Sequence, residues 1–324
     1  MAGEMLWTTN SGYLTNNQLS RTLRHAAQPL MRFRNFVSVK EAFGKHKGQT
    51  VNFTKIANVT TYGGRLTETT TMHETDQAIT QGSVTVQEFG NSIPFTFKLE
   101  ALSEFDLRDM VEMGLANDMA KVMEGLIERQ YNTCALRHVG TAAAAQVLTT
   151  NGTATATNSS VLNEHHIRKM ALELKKRNVP GYSAAGGDYV MINSHEAIES
   201  LQGAMVSVNQ YTETGFSRIT TGEQGRIHGV RIVEDGFATR FTYSDTARTA
   251  TAKSWTNALS LEGYMFGAPT VTEAIAVPEE VRVKIPTDYG RSHGIAWYFI
   301  GNWQIVYGAT EASDCRIIKW DSAA

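Results

Sequence analysis

The chain is short of the features that mark the commonest functional classes. Among its 324 residues there are two cysteines, Cys134 and Cys315, far apart in sequence. That excludes a disulfide framework and predicts two buried, reduced thiols. Neither sign of charge is in excess: 30 Lys and Arg stand against 32 Asp and Glu, a formal net charge of −2. Without a basic surplus the chain does not read as a dedicated nucleic-acid reader, and it has no acidic tail. A near-neutral chain can still enclose nucleic acid, where adhesion to every phosphate would be a handicap. No apolar run approaches the roughly 18 residues that a bilayer-spanning helix needs. Met1 to Asn10 has no basic segment leading into an apolar core, so no secretory signal is expected, and the sequons at Asn58 and Asn151 read as chance. The expectation is a soluble chain of intracellular origin. Hydrophobic residues make up 42%, enough for one large or two medium domains with real cores.

Catalytic motifs are missing as well. Gly44-Lys45-His46-Lys47-Gly48 resembles half a phosphate loop but lacks the Gly-x4-Gly-Lys-Ser/Thr spacing, and is predicted to be a solvated turn. Glu164-His165-His166 contains no His-Glu-x-x-His, so the pair is assigned to the exposed side of a helix start. His195-Glu196 opens a helix after a strand, where a carboxylate is an ordinary macrodipole partner. Glu68, His73, Glu74 and Asp76 fall in a polar loop, where solvation or ion pairs to a neighbour's Lys or Arg are preferred over a divalent ion. Neither Gly-x-Ser-x-Gly nor Gly-x-Gly-x-x-Gly occurs. No catalytic, cofactor-binding or metal site is expected, and no internal repeat is visible.

What the chain does have is an order of elements. Residues 1–40 are polar and weakly patterned; Leu19, Leu23 and Leu30 could form a short amphipathic piece. Met31, Phe33, Phe36 and Val37 are candidate anchor points of an extended arm that needs a partner surface. Gln49 to Ile56 alternates, with Val51 and Phe53 on one face, and Val84 to Leu99 alternates back through Ile93, Phe95 and Phe97. Pro94 suits an edge strand or a strand start. Between them, residues 57–83 are Thr-rich with almost no large apolar side chain, so this ribbon cannot bury a core of its own.

A long amphipathic helix is predicted from Glu104 to about Arg137, roughly 50 Å long. Leu107, Met110, Val111, Leu115, Met119, Val122, Met123, Leu126, Ile127 and Cys134 mark its apolar face. Arg108, Asp109, Glu112, Asp118, Lys121, Glu124, Glu128 and Arg129 fill the other. Residues 139–160 have loop or edge-strand composition. A second helix runs from Asn163 to about Asn178 and stops at Pro180-Gly181. Asp188 to Ile192 reads as a buried strand, followed by a helix from His195 to Leu201. Arg226 to Val233 reads as a hairpin hinged at Gly229. Late strands cover Val281 to Ile285, Ile295 to Ile300 and Trp303 to Tyr307, with a turn at Gly301-Asn302.

This order resembles the major capsid proteins of tailed bacteriophages with the Hong Kong 97 type of fold, and within it the N4-like major capsid family. The strings that carry the resemblance are Gly48-Gln-Thr-Val-Asn-Phe-Thr54, Val84-Thr-Val-Gln-Glu-Phe-Gly90, the helix opening at Phe105-Asp-Leu, and Gly222-Glu-Gln-Gly-Arg-Ile-His-Gly-Val-Arg-Ile-Val233. The resemblance covers essentially the whole chain, through order and spacing more than any one string. It implies an α+β fold with an N-terminal arm (1–44), an extended β-ribbon loop (45–100) and a peripheral domain with the spine helix (101–160). An axial domain (161–270) and strands returning to the peripheral domain (271–324) complete it. It also implies a structural protein, not an enzyme, without cofactor or metal. Copies would form hexamers and pentamers of an icosahedral virion head around double-stranded DNA, assembled in the host cytoplasm without a membrane. A separate scaffolding protein, a portal and a possible decoration protein are the implied partners. Some relatives crosslink a loop lysine to a neighbour's asparagine; Lys55 lies in the ribbon, but that chemistry is not carried over.

Three other readings compete. One is an encapsulin-type nanocompartment shell on the same fold. The second is an α/β enzyme with a pocket near Asp188 to His195. The third is a cell-surface β-rich binding module, against which the missing signal and the long helix argue.

Overall fold

The structure is a computed structural model, and it describes residues 31–42, 48–56, 63–69, 71–77, 79–182, 187–201, 225–255, 258–259, 261–307 and 314–322. The expected amphipathic piece at Leu19 to Leu30 and most of the Gly44–Gly48 turn lie outside the described residues. The first half contains β1 (Ser38–Ala42), β2 (Thr50–Ile56), β3 (Ile79–Thr85), β4 (Gln87–Thr96), α1 (Phe97–Leu102), α2 (Leu107–Asn132), β5 (Leu136–Ala142), β6 (Ala145–Thr149) and α3 (Glu164–Lys176). Then come β7 (Tyr189–Ser194), α4 (195–201), β8 (Gly225–Ile227), β9 (Val230–Asp235), β10 (Phe241–Ser244), β11 (Thr249–Ala252), β12 (Ser254–Trp255) and β13 (Ala258–Leu259). The last four strands are β14 (Leu261–Phe266), β15 (Val271–Val283), β16 (Ser292–Ile305) and β17 (Ile317–Ser322).

Two of the expected anchor residues, Phe33 and Phe36, pack on this chain's own core and not on a partner surface. Phe33 is fully buried, its ring edge-on to Tyr131 at 5.3 Å and Tyr264 at 5.8 Å. Phe36 meets Tyr182 and Phe266 in the same edge-on manner.

The ribbon is real, but its return strand divides. β2 pairs antiparallel with β3, from Thr50 opposite Thr85 to Ile56 opposite Ile79. The segment expected as one returning strand from Val84 to Leu99 leaves the ribbon after Thr85. From Gln87 to Thr96 it pairs instead with β16. The cause is burial: Phe95 enters the main core and Phe89 packs beside Phe299 and Trp303, while the ribbon has only a small cluster at its base to offer. Pro94 sits, as expected, on an edge strand. Residues 97–99 are helical, not extended, because the Thr96 hydroxyl accepts the Leu99 N–H and starts α1.

The long helix is shorter than predicted. Asp106 caps it by accepting the Arg108 N–H at 2.9 Å, and it stops at Asn132. Its 26 residues span ~39 Å, not 50 Å. Residues expected to extend it to Arg137 are drawn into β5, which pairs parallel with β17. The apolar face is buried as expected through Leu107, Val111, Leu115, Val122, Met123, Leu126 and Ile127. Glu124 and Glu128, assigned to the charged face, are instead buried. Other elements close over the last turns of the helix and supply partners for both carboxylates.

Two sheets flank this helix. The first has the order β1-β15-β16-β4, the second β6-β5-β17-β14-β7-β9-β8. α2 lies on the first, and Asp118 ties it there by accepting from Asn91 Nδ2 and Trp297 Nε1, both at 2.9 Å. Residues 139–160 open with the edge hairpin β5–β6 of the second sheet, which β17 rejoins near the C-terminal end. The expected turn at Gly301-Asn302 is absent: β16 runs unbroken from Ser292 to Ile305. A Cβ at Gly301 would lie 2.7 Å from the Ala274 carbonyl oxygen, so this glycine admits a close neighbouring strand, not a turn. The hairpin at Gly229 is as expected; His228 and Gly229 both adopt positive φ, the geometry of a two-residue turn.

Candidate functional site

Beyond its base, the ribbon has almost nothing to stand on. Val51 and Val84 face each other and join Val86 and Ala274 in a small core separate from the main one. Past them, Ile56 and Ile79 also pair, yet they are 62% and 63% exposed. Every described residue from 63 to 77 is exposed, including Leu66 and Met72. A two-stranded ribbon also leaves the outer edge of each strand unpaired. Such a segment presents apolar side chains and backbone hydrogen-bonding groups to whatever lies next to it. Lys55 forms an ion pair with Asp314.

A second exposed apolar strip lies at the far end of β15–β16. Val281, Val283 and Ile285 fall at alternate positions, and Ile285 is 84% exposed, with Tyr289 fully exposed beyond it. Their neighbours are held in place. The Arg282 guanidinium lies 3.7 Å from the Tyr298 ring centroid, and Lys284 Nζ donates to Ser292 Oγ at 2.6 Å. The ordered backbone thus holds an apolar strip against water.

The residues weighed for chemistry are scattered. His166 is not on an exposed face as expected; it is fully buried, 4.8 Å from the Trp320 ring and 5.7 Å from His138. It falls on the same face of α3 as Ile167 and Met170, so the helix turns it inward. Burial lowers the pKa of both imidazoles, that of His138 to about 3, so they stay neutral. His195 meets Glu234 at 3.0 Å and Glu196 meets Arg240 at 3.0 Å, both at the surface. Glu68, His73, Glu74 and Asp76 lie on the exposed ribbon segment. Among the described residues no group of three His, Cys, Asp or Glu is placed to hold a metal ion. Cys134 and Cys315 are free, buried thiols, and desolvation pushes Cys134 up to about 12.

One cluster escaped the sequence reading. Lys253 Nζ lies 2.6 Å from Glu262 and also contacts Glu128, which accepts from the Tyr264 hydroxyl. Lys319 lies 2.6 Å from the other Glu262 oxygen and 2.8 Å from Asn132 Oδ1. Burial alone would lower the Lys253 ammonium, but Glu128 and Glu262 hold its pKa above the ordinary value. The charged groups and Tyr264 are sealed from solvent, so the cluster cannot meet a substrate; it fastens α2 to the second sheet. The available signal was a charge set inside an apolar strand, at Glu262 in β14 and again at Lys319 and Asp321 in β17, where Glu262 pairs with Asp321 and Lys319 with Tyr264.

The profile of the Phage capsid family matches residues 11–235. No curated protein matches the chain. The capsid structure of Helicobacter pylori bacteriophage KHP30 is similar over 100% of both chains, with TM-score 0.69 and 13% identity. The capsid of Cyanophage P-SCSP1u gives TM-score 0.66 and 10% identity over 97% of this chain and 94% of its own. That of Ralstonia phage GP4 gives 0.63 and 14% over 95% of each. At these identities the shared property is the fold.

Proposed function

This chain belongs to the phage capsid family, and from that premise we propose that its copies close into an icosahedral head of hexamers and pentamers around double-stranded DNA. Membership makes it a structural protein of the virion and not an enzyme. The finer assignment is to the Hong Kong 97 type, N4-like branch. In it, residues 1–44 are the arm, 45–100 the extended loop, 101–160 the peripheral region with α2, 161–270 the axial region and 271–324 the returning strands. Assembly takes place in the host cytoplasm, with a scaffolding protein and a portal as partners and a decoration protein as an optional one.

The observation that carries this reading is the ribbon. Among the described residues, its paired Ile56 and Ile79 and the segment 63–77 are exposed, with no buried cluster beneath them. A neighbouring copy that accepts the ribbon would cover the exposed apolar side chains and satisfy the free strand edges. Repeated by symmetry, many modest contacts give a stable shell. Negative-stain electron microscopy of the expressed protein, alone and with a scaffolding candidate, tests it. Closed particles or rings of five or six are expected. A monomer under both conditions, without tubes or sheets, would overturn the reading.

A further inference from the structure

A groove of about 720 Å³ opens where α3 passes the β8–β9 hairpin. The helix contributes its exposed face: Arg168, Leu172 and Lys175 recur at four- and three-residue steps, with Lys169 beside them. The opposite face of α3 is buried through Ile167, Met170, Ala171 and Leu174, so these cations cannot turn inward. Among the described residues, the side chains of Arg168, Lys169 and Lys175 have no acidic partner.

The facing wall is built. Asp188 is buried, and its Oδ1 lies 2.6 Å from Nη2 of Arg226, whose side chain is 52% exposed against 6% for Asp188. Arg231 approaches the other carboxylate oxygen at 3.8 Å. One sealed carboxylate therefore orients a half-exposed guanidinium toward the groove. At the rim, His228 pairs with Glu164 at 2.8 Å. The buried carboxylate of Asp188 is thus already engaged by Arg226 and Arg231, and that of Glu164 by the His228 ring. In a chain of net charge −2, this is a local reversal of sign.

The geometry points to a phosphate-binding groove, with Arg168, Lys169, Lys175 and Arg226 as its ligand-contacting residues. A planar guanidinium held at its back by a carboxylate keeps donors free for two phosphate oxygens, and the lysines add charge that needs no fixed direction. The phosphate has two sources: the backbone of duplex DNA, which rests on the proposed function, or a free nucleotide polyphosphate, which does not. An acidic protein segment is the rival that the test must exclude.

The test is fluorescence anisotropy of a labelled short DNA duplex titrated with the purified full chain at several salt concentrations. Arg168→Ala/Lys175→Ala should weaken binding about tenfold or more and make the log–log salt slope shallower by about two, one for each lost phosphate contact. Lys98→Ala/Arg291→Ala, an equal loss of charge elsewhere, should change little. Competition by a nucleoside triphosphate that is lost in the groove variant identifies the free-phosphate source; binding of duplex alone identifies the backbone. Unchanged binding in the groove variant, an equal loss in the control, or equal competition by polyglutamate overturns the inference. Because the assay is read on the chain itself, failure to form closed particles under the microscope remains a separate result.

Discussion

Glu124 accepts the backbone N–H of Phe33 at 2.7 Å, a hydrogen bond between residues 91 positions apart. The same oxygen accepts the Arg32 N–H at 2.6 Å. Two otherwise orphaned donors of the arm are thereby satisfied by the long helix, at the point where Phe33 enters the core.

The burial of Glu124 at this contact should make stability depend on pH. Desolvation raises the Glu124 pKa from 4.5 to about 7, against the backbone donors that lower it, and its other oxygen has no partner and can carry the proton. The folded state therefore binds this proton more tightly than the unfolded chain. Its contribution is present below pH 4.5 and is lost as pH rises to about 7, by on the order of 3 kcal/mol. Glu124→Gln should remove that part of the decline. Denaturant titrations of both proteins at pH 5 and pH 8 check it; parallel shifts in the two proteins would refute the assignment.

Charge on the buried face of α2 should damage the subunit itself. Val122 is buried, whereas Met113 on the same helix is half exposed. Val122→Asp is expected to cost about 3 kcal/mol or more, because it puts a carboxylate where an apolar side chain is buried. Met113→Asp should stay within about 0.5 kcal/mol. Thermal melts of the two variants decide. A charge at Met119, which is only partly buried, should fall between them.

The ribbon should be dispensable for folding and needed for closure. A cut from about Thr60 to Gln81 also removes residues of β3 that pair with Thr54 to Ile56, so replacing residues 63–77 with a short flexible link is the cleaner deletion. It should leave the melting temperature of the subunit nearly unchanged and abolish closed particles. Ile56→Ser/Ile79→Ser should do the same more mildly. Normal shells from the deletion would end the intersubunit role of the ribbon.

The strip on β15–β16 allows a parallel test. Val283→Ser/Ile285→Ser should change subunit stability by less than about 1 kcal/mol, since both side chains already face water. If a second copy covers the strip, light scattering should show a smaller assembled fraction or a higher threshold concentration. Identical assembly curves would leave the strip without a role in closure.

Much of this was legible in the order of residues. Alternation located β2 and most of β4, three- and four-residue periodicity found α2, and the stop at Pro180-Gly181 bounded α3. The helix expected from Asn163 forms as α3, with Asn163 as its cap, and the hairpin expected at Gly229 turns there. Local rules suffice at such places because the conformation is set by neighbours in sequence. They misplaced the end of α2, the division of the ribbon's return strand and the unbroken course of β16, where pairing with a distant strand outweighed local signals. The inward turn of His166 went unread for a related reason: a ring beside Trp320 and His138 is placed by residues far away in the chain.

The groove on α3 shows the same boundary. Its helix face of Arg168, Lys169 and Lys175 can be read from spacing alone, but Arg226 comes from a hairpin some fifty residues on and is aimed by the buried Asp188. By itself the sequence determined which segments could be buried and which, like residues 63–77, could not, because burial follows apolar content and period. Only the tertiary structure decided what each buried charge would meet. A glutamate on a helix can be solvated, can accept arm amides as Glu124 does, or can bind a lysine as Glu128 does. The choice depends on which distant segment closes over it, since desolvation must be met by a partner that local sequence does not specify.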